Sequence, residues 1–252
     1  MTSEALASIT SDQILTTFRK VGVRTGDTVY VASSLAGFAL LDSPVETVTT
    51  ALRAAVGADG TLVMPSFHPG FRYAGFFDRE LTPSKSGILS EAFRQAPGTR
   101  RTWDPPYNPV CVQGRAADAI ARITSPTAFG PRSVFDHLID IDATVLLIGC
   151  SFHDGVAHVH WLEERHDVPY RSWQRFTGDV VVDGECMERS WRCHVRRPGV
   201  ELHAGVVGEV LESSGVVFEE SIGLTRIAAF SLQNFVKVLD PWFARNKDAM
   251  VL

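Results

Sequence analysis

A cluster of ionisable side chains follows a predicted buried strand at residues 143–148. The strand leads into the small-residue turn Gly149-Cys150-Ser151, and four of the eight histidines of the chain lie between residues 153 and 166. Strand ends of α/β sheets expose backbone groups to ligands, so we expect chemistry in this segment. Its ionisable residues include His153, Asp154, His158, His160, Glu163, Glu164 and His166.

A catalytic interpretation of this cluster depends on helical spacing. A helix over residues 156–166 would place Glu163 or Glu164 three or four residues after His160, on the same helix face. A carboxylate there can orient the imidazole, and an oriented neutral imidazole is the usual general base because its pKa of about 6.5 lies near working pH. The spacing therefore indicates a base that activates an amine, a hydroxyl or a thiol.

Two other interpretations of the same residues stay open. Imidazole and carboxylate are ordinary zinc or iron ligands, which makes His153, Asp154, His158 and His160 candidate metal ligands, although their spacing matches no known motif. Alternatively, His160 is hydrogen-bonded in the core, and residues 163–166 form a solvated helix face. Judged from these residues alone, the last interpretation is narrowly favoured.

Composition limits the class of protein. The chain has 252 residues, of which 45% are hydrophobic and 21% charged, and no Pro/Ser-rich or charged run divides it. We therefore expect a single domain over residues 1–252. The net charge of −5 comes from interspersed acids and bases, without the basic stripe that neutralises phosphates, so nucleic acid is not an expected partner.

Cysteine usage and the N-terminus predict a cytoplasmic protein. Cys111, Cys150, Cys186 and Cys193 form no closely spaced pair of the metal-binding kind, and a chain of this size needs no disulfide framework. We expect free thiols. Glu4 stands where a signal peptide would be basic, and no apolar run approaches membrane-spanning length, so we expect no membrane partner.

The elements that position the cluster alternate along the chain. Apolar residues at helical spacing predict helices at residues 11–21, 44–56, 87–95, 115–123, 204–213 and 231–244. Short β-branched runs predict strands at residues 28–31, 61–64, 109–112 and 143–148, and residues 178–193 read as a hairpin that turns at Asp183-Gly184. The alternation predicts a three-layer α/β/α fold whose central sheet is largely parallel and becomes mixed through the C-terminal hairpin.

Six blocks of sequence occur in a defined order along nearly the whole chain. They are Val31-Ala32-Ser33-Ser34-Leu35 with residues 44–67, Thr82-Pro83-Ser84 with Gly87, Phe129-Gly130-Pro131-Arg132-Ser133, Leu146-Leu147-Ile148-Gly149, His160-Trp161-Leu162-Glu163, and Val168-Pro169-Tyr170-Arg171. Together these blocks resemble the aminoglycoside 3-N-acetyltransferase family. A single block would be a weak signal, but six in the right order make a strong one.

The resemblance implies acetyl transfer from acetyl-coenzyme A to an amine, with His160 as the base. An amine that arrives as ammonium must lose a proton before it attacks the thioester carbonyl, so a positioned base supplies much of what this reaction needs. Glu163 would hold the imidazole ring and stabilise the imidazolium, as the carboxylate of a catalytic triad does. Backbone N–H groups near Ser33, Ser34 or Ser151 are candidates for binding the oxyanion.

The resemblance also implies where the coenzyme binds. Ser33, Ser34 and Leu35 look like family residues that contact the pantetheine arm, and Phe129, Gly130 and Ser133 are further candidates. No glycine-rich phosphate loop of the P-loop type occurs in the sequence. Acetyl-coenzyme A is the expected co-substrate, and no metal is expected.

Departures from the family pattern bear on the acceptor amine. Ala32 stands where the family commonly has histidine, and residues 104–109 stand where it commonly has His-Pro-x-His-Ser. One extra residue between Phe152 and His160 makes His158 a competing base, but only His160 has Glu163 three residues later beside an aromatic residue and a leucine. The candidate substrate-binding residues are Asp104, Tyr107, Asn108, Phe152, Asp154 and Arg171.

The charge of the acceptor is left open by the sequence. A polycationic aminoglycoside needs carboxylates at the mouth of its site, whereas guanidinium groups suit an amine that carries a carboxylate or a phosphonate. Carboxylate candidates are Asp104, Asp154, Glu163, Glu164 and Asp167, and guanidinium candidates are Arg165, Arg171 and Arg175. We expect an acyltransferase for a small-molecule amine, either of aminoglycoside type or biosynthetic, and antibiotic resistance is the less favoured role.

Two alternatives from other classes accompany this expectation. One is a metal-dependent hydrolase that uses the cluster from His153 to His160, and the other is a non-catalytic homologue that binds the coenzyme or another small ligand. Cys150 as a nucleophile is a weaker variant, because a buried cysteine explains its position more simply. The sequence allows a homodimer without predicting the oligomeric state.

Overall fold

Strands from both halves of the chain assemble into two β-sheets in the computed structural model, which describes residues 9–252. The strands are β1 (Thr28–Ser33), β2 (Thr61–Pro65), β3 (Phe76–Asp78), β4 (Arg100–Arg101), β5 (Val110–Gly114), β6 (Thr144–Ile148), β7 (Arg171–Val182), β8 (Glu185–Arg196), β9 (Phe218–Ile222) and β10 (Thr225–Ser231). A central sheet has the order β4-β5-β2-β1-β6-β10-β9, and a smaller sheet has the order β3-β7-β8.

Helices form where apolar residues recur at helical spacing. They are α1 (Ser11–Lys20), α2 (Pro44–Val56), α3 (Phe71–Ala74), α4 (Ile88–Gln95), α5 (Ala117–Ala121), α6 (Val134–Asp140), α7 (Phe152–Gly155), α8 (Val159–His166), α9 (Gly205–Ser213) and α10 (Leu232–Arg245). The side chain of Thr10 accepts a hydrogen bond from the backbone of Gln13, and the Gln13 side chain caps Thr10 in return. The predicted ends of α1, α9 and α10 are correct to within one residue.

Three buried strands form the parallel centre of the large sheet. β1 pairs in parallel with β2 on one side and with β6 on the other, where Ser33 lies opposite Ile148. Almost every residue of these strands is buried, because helices cover both faces of the sheet. β5 and β10 add to this centre in antiparallel orientation. The sheet is therefore mixed.

Two apolar layers on opposite faces of the central sheet confirm the predicted three-layer α/β/α fold. On one face, α1, α2 and α4 contribute Phe18, Leu52 and Phe93. On the other face, α6, α8, α9 and α10 pack against the sheet through side chains such as Phe135 and Leu162. This second layer holds the histidine-rich segment against the sheet.

The C-terminal hairpin forms as predicted but belongs to the smaller sheet. β7 and β8 pair from Arg171 opposite Arg196 to Val182 opposite Glu185, and the turn residues Asp183 and Gly184 both have positive φ. β3 adds to β7 in parallel, where a Cβ on Gly178 would lie 2.3 Å from the carbonyl oxygen of Gly75. The expectation that this hairpin makes the central sheet mixed is wrong, because the antiparallel strands there are β4, β5, β9 and β10.

The predicted helix over residues 156–166 begins three residues later than expected, as α8, and the short α7 ends just before the predicted range. Val156 leaves helical geometry with φ −101° and ψ 73°, and the chain re-enters a helix after His158. The predicted helix at residues 115–123 is shorter, and α6, β3, β9 and β10 have no counterpart in the prediction. Short elements of this kind depend on tertiary packing more than on local pattern.

The N-terminal expectation rests partly on Glu4, which lies outside the described residues. No helix within residues 9–252 has both the length and the apolar character that a membrane span needs.

Candidate active site

Two cavities lie near the carboxyl ends of the parallel strands. The strand-end cavity, of about 550 Å³, is bordered by residues that follow β1, β2 and β6, among them Ser33, Ser34 and Gly149. The hairpin cavity, of about 480 Å³, lies between α8 and the β7–β8 hairpin and is bordered by His160 and His194. Parallel strands thus bring distant segments of the chain to one edge of the sheet.

The two cavities share part of their lining, and a third cavity lies between them beside His160. Phe67 and Pro69 border both of them. A smaller bridging cavity of about 290 Å³ has in its lining both Asp154, from the strand-end cavity, and His160, from the hairpin cavity. A ligand in each large cavity can therefore present a reacting group near the His160 imidazole.

The first turn of α8 places His160 in front of Glu163. The Nδ1 atom of His160 lies 2.5 Å from Oε2 of Glu163. The His160 side chain is 38% exposed, whereas that of Glu163 is only 1% exposed. The ring of Phe129 packs edge-on against the imidazole at a centroid distance of 5.0 Å. The imidazole thus faces the cavities with a buried carboxylate behind it.

Glu163 is held as a carboxylate by its neighbours. The hydroxyl of Tyr170 donates a hydrogen bond to Oε1 at 3.0 Å, and Nε of Arg171 lies 2.8 Å from Oε2. Burial alone raises the pKa of Glu163, but the charges and hydrogen bonds of His160 and Arg171 outweigh this effect and lower its pKa to about 2. Glu163 is therefore ionised at neutral pH.

An ionised Glu163 fixes the tautomer of His160. A carboxylate only accepts hydrogen bonds, so Nδ1 carries a proton and its N–H donates a hydrogen bond to Glu163. Nη2 of Arg171 also lies 3.2 Å from Nδ1, but a protonated Nδ1 offers it no lone pair, so this contact is electrostatic. The neutral ring then has its lone pair on Nε2, on the ring edge away from Glu163. This is the tautomer that a general base requires.

His158, the competing base, lies outside the cavities. Its side chain is fully buried against the rings of Tyr30, Phe135 and Phe235, with ring centroids 4.8 Å, 5.1 Å and 6.4 Å away. Neither ring nitrogen has a hydrogen-bond partner within residues 9–252. Burial, aided by the nearby His160, lowers the pKa of His158 to about 3. His158 is therefore a neutral core residue.

The structure also gives no support to the metal interpretation. His153 and Asp154 are exposed, His158 is buried in the core, and His160 is bonded to Glu163. Across residues 9–252, no group of three or more His, Cys, Asp or Glu side chains is close enough to hold a metal ion. The hydrolase alternative is thus not favoured.

The predicted coenzyme-binding residues divide into two groups. Ser33 and Ser34 border the strand-end cavity, where the N–H of Ser34 already donates to the carbonyl oxygen of Ile148 at 2.8 Å and so has no capacity left for an oxyanion. Leu35 is buried beside them. Phe129, one of the further candidates, borders the hairpin cavity instead.

Gly130 and Ser133 also lie away from the strand-end cavity. Gly130 borders a separate cavity of about 360 Å³ behind Phe129, and a Cβ at this position would approach Oε2 of Glu164 to 2.8 Å. Ser133 is buried and caps α6 by accepting a hydrogen bond from the backbone of Asp136. The family block at residues 129–133 thus positions a helix and the wall behind His160.

The predicted substrate-binding residues are likewise separated. Tyr107, Asn108 and Arg171 border the hairpin cavity, whereas Asp154 borders the strand-end and bridging cavities. The guanidinium group of Arg171 is already engaged within the protein, because it pairs with Glu163 and donates a hydrogen bond to the carbonyl oxygen of His194 at 2.9 Å.

Asp104 and Phe152 do not reach the site. Asp104 is buried, accepts a hydrogen bond from the indole of Trp191 and lies 3.3 Å from Nη1 of Arg189. Phe152 is also buried and stacks on Phe230 at a centroid distance of 5.8 Å. The prediction that these two residues line the substrate site is not supported by their positions, because both face the protein interior.

Two residues at the site were missed by sequence reasoning. Lys85 borders the strand-end cavity just before the N-terminus of α4, and its backbone N–H donates to the carbonyl oxygen of Phe67 at 3.0 Å. Tyr170 donates a hydrogen bond to Glu163. Glu164, one of the candidate carboxylates, borders the hairpin cavity with a buried Oε2 that has no hydrogen-bond partner within residues 9–252. The block at residues 168–171 was the available signal for Tyr170, but nothing local distinguishes Lys85.

Cys150 borders the strand-end cavity without the surroundings of a nucleophile. Its thiol is directed at the carbonyl oxygen of Ala32, with Sγ 3.4 Å away. Burial raises the pKa of Cys150 to about 11, so the thiol is protonated at neutral pH. The structural interpretation of this cysteine is the better supported one.

Comparison with known proteins places this geometry in a family context. The family model described as aminoglycoside 3-N-acetyltransferase matches residues 30–244. Aminoglycoside N(3)-acetyltransferase III from Salmonella sp is 27% identical over 211 residues, which cover 73% of this chain and 69% of that protein. The crystal structure of aminoglycoside acetyltransferase AAC(3)-Xa shares the fold with a TM-score of 0.84 at 21% identity, covering 98% of each chain. The structure of AAC-IIIb with CoASH has a TM-score of 0.82 at 19% identity, covering 94% of this chain and 97% of that one.

Proposed function

The chain belongs to the aminoglycoside 3-N-acetyltransferase family, which makes it a coenzyme A-dependent N-acetyltransferase, and we propose that His160 is its general base. The observation that carries this proposal is the buried, ionised Glu163 bonded to Nδ1 of His160, because it leaves the Nε2 lone pair available at the junction of the cavities. Glu163 then orients the ring and stabilises the imidazolium that forms during the reaction.

The proposed reaction proceeds by direct attack of the acceptor amine. Nε2 of His160 removes a proton from the amine as its nitrogen attacks the thioester carbonyl of acetyl-coenzyme A, which forms the new C–N bond and a tetrahedral intermediate. The intermediate collapses with cleavage of the C–S bond. The His160 imidazolium then returns its proton to the departing thiolate, so the products are the N-acetylated acceptor and coenzyme A. General base catalysis of this kind contributes roughly 10²- to 10⁴-fold to the rate.

We assign the coenzyme to the strand-end cavity. Ser33 and Ser34 offer hydroxyl groups to the pantetheine arm, and Lys85 supplies a cation near the mouth for a phosphate. The N-terminus of α4 begins at the next residues, after Gly87, and its dipole favours an anion there. AAC-IIIb, which has the same fold, is known in a binary complex with CoASH, which supports binding of the coenzyme by this fold.

We assign the acceptor to the hairpin cavity, on the other side of His160. Tyr107, Asn108 and Glu164 offer polar groups there, and Phe129 fixes the plane of the imidazole. An acceptor in this cavity reaches Nε2 while the thioester approaches through the bridging cavity. Holding two reactants on either side of a base in this manner is the main contribution that binding makes to a two-substrate transfer.

The same proposal includes one domain over residues 1–252 and a cytoplasmic location. Support for one domain comes from the two apolar layers, which pack on opposite faces of a single sheet. Support for a reducing compartment comes from Cys111, Cys150, Cys186 and Cys193, which are all free thiols.

Thiol release from acetyl-coenzyme A across a panel of amines tests the proposed base. We expect His160→Ala to lower kcat by roughly 10²- to 10⁴-fold while binding of the coenzyme, measured by calorimetry, is retained. His137→Ala is the matched control, because His137 lies on α6 and borders none of the three cavities.

The outcomes separate the activity from the residue assignment. If the wild-type protein neither binds coenzyme A nor releases thiol with any amine, the transferase activity is refuted. If the coenzyme binds and His160→Ala turns over at the wild-type rate, the assignment of the base is refuted instead.

A further inference from the structure

The hairpin cavity is rich in basic residues. Its lining includes Arg72, Arg171 and Arg196, together with His160 and His194. The only carboxylates in the same lining are Glu163 and Glu164. The size of the net positive charge therefore depends on the ionisation of these two acids.

Neither acid offers a full, unpaired negative charge to a cationic ligand. Glu163 is 1% exposed and is already paired with His160 and Arg171. Burial raises the pKa of Glu164 to about 7, so near neutral pH this group is protonated in a substantial fraction of molecules. Three permanent cations thus face one ionised carboxylate and one partly ionised carboxylate, and the cavity is positive.

The other carboxylates expected for a polycationic acceptor lie elsewhere. Asp104 is buried against Trp191, and Asp154 borders the strand-end and bridging cavities, where it accepts a hydrogen bond from the Ser151 hydroxyl at 2.7 Å. Asp167 is exposed and accepts a hydrogen bond from the indole of Trp173 at 3.1 Å. None of the three borders the hairpin cavity.

Arg196 is the cation best placed for a ligand. It lies directly opposite Arg171 in the pairing of β7 with β8, and both side chains border the hairpin and bridging cavities. Like charges opposite each other on one sheet face are destabilising unless an anion compensates them. Arg171 has Glu163 as its partner, whereas Arg196 has no ion-pair partner within residues 9–252.

We propose that the acceptor carries an anionic group, a carboxylate or a similar acid, beside its reacting amine, and that Arg196 binds this group. The inference rests on the proposed function, since it takes the hairpin cavity as the acceptor site. Arg196 and the uncompensated charge of the cavity select such an amino acid-like amine and disfavour a polycation. The substrate class is thus a small amine that carries its own acid.

A positive cavity also favours the chemistry of this substrate. Neighbouring cations destabilise an ammonium ion relative to the free amine, which lowers the pKa of the bound amine and eases proton transfer to His160. An acidic group at Arg196 holds the molecule in place despite this repulsion. An acceptor with several ammonium groups meets the same repulsion without that anchor.

Binding to the coenzyme A-loaded protein tests the proposal with matched probes. We would titrate 4-aminobutanoate, 4-amino-1-butanol, 1,4-diaminobutane and sisomicin, and follow binding by ligand-observed NMR. We expect 4-aminobutanoate to bind about tenfold or more tightly than the other two butane probes, as one charge-assisted contact provides. Sisomicin is expected to bind more weakly than 4-aminobutanoate.

A pair of arginine variants identifies the residue. Arg196→Gln is expected to remove the preference for 4-aminobutanoate, whereas Arg175→Gln is expected to keep it, because Arg175 is exposed on the same hairpin and borders none of the cavities described. Equal binding of the butane probes, no binding of any probe, or tighter binding of 1,4-diaminobutane or sisomicin overturns the proposal. Failure of the proposed function is a distinct result, seen as absent coenzyme A binding or absent thiol release.

Discussion

Replacing His158 by leucine should make the protein less sensitive to acid. His158 is fully buried with a pKa lowered to about 3, whereas a histidine in the unfolded chain has a pKa of about 6.5. Below pH 6.5 His158 therefore binds a proton in the unfolded chain but stays neutral in the folded chain. The contribution of His158 to stability is complete above pH 6.5 and falls progressively as the pH drops toward 3.

The size of this effect follows from the two pKa values. Proton binding to the unfolded state alone lowers the free energy of unfolding by about 0.2 kcal/mol at pH 7, about 0.8 kcal/mol at pH 6 and about 2 kcal/mol at pH 5. His158→Leu removes the titration and keeps an apolar side chain of similar size among Tyr30, Phe135 and Phe235. The free energy of unfolding of the variant, relative to wild type, should thus rise by about 2 kcal/mol between pH 7 and pH 5.

The comparison with the variant is necessary because Glu164 titrates in the opposite direction. Its pKa is raised to about 7 in the folded protein, so the folded state gains stability relative to the unfolded state as the pH falls from 7 toward about 4.5. The pH profile of the wild-type protein alone therefore mixes two opposing terms. Glu164 is unchanged in His158→Leu, and its contribution cancels in the difference.

Urea unfolding followed by tryptophan fluorescence at pH 7, 6 and 5 measures this difference for both proteins. Any constant cost of the substitution itself shifts all three values equally, so only their slope with pH matters. A difference that stays the same from pH 7 to pH 5 would show that His158 titrates normally in the folded protein, and its assignment as a neutral core residue would be wrong.

Two further predictions concern the proposed reaction. Glu163→Gln keeps the shape of the side chain but removes the charge that stabilises the His160 imidazolium. The kcat for thiol release should therefore fall by roughly 10²- to 10⁴-fold, with little change in coenzyme A affinity measured by calorimetry. A variant with wild-type kcat would contradict the role of the carboxylate. Lys85→Ala should weaken coenzyme A binding by roughly tenfold and leave pantetheine binding unchanged, because only the full coenzyme offers phosphates to this cation. Equal losses of affinity for both ligands would show that Lys85 does not bind a phosphate of the coenzyme.

The proposed base and its carboxylate were accessible to sequence reasoning because their geometry is local. His160 and Glu163 are three residues apart, and one turn of α8 is enough to bring Nδ1 and Oε2 together. The choice between His160 and His158 is a different matter. His158 is excluded by Tyr30, Phe135 and Phe235, which come from three distant segments, and no local pattern shows that they meet around it.

The same lack of a local signal for long-range contacts explains why Asp104 was predicted to bind the substrate. Asp104 looks like a free carboxylate in the sequence, but Trp191, 87 residues away, binds and buries it. The hairpin at β7 and β8 was predicted from its turn, yet the sheet to which it belongs depends on β3, a strand of three residues. Long-range pairing of short elements leaves little trace in the local sequence.

The departures from the family pattern leave the proposed base and its partners unchanged, although Ala32 borders the strand-end cavity and the extra residue precedes His160. His160, Glu163, Tyr170 and Arg171 lie in blocks that match the family, and in the structure they form one connected set of contacts. By contrast, residues 104–109 replace the family's His-Pro-x-His-Ser, and Tyr107 and Asn108 from this segment border the hairpin cavity. A conserved chemical step requires the first set, whereas a change of acceptor requires only the second. The change at residues 104–109 is therefore what an acetyltransferase adapted to a different amine would show.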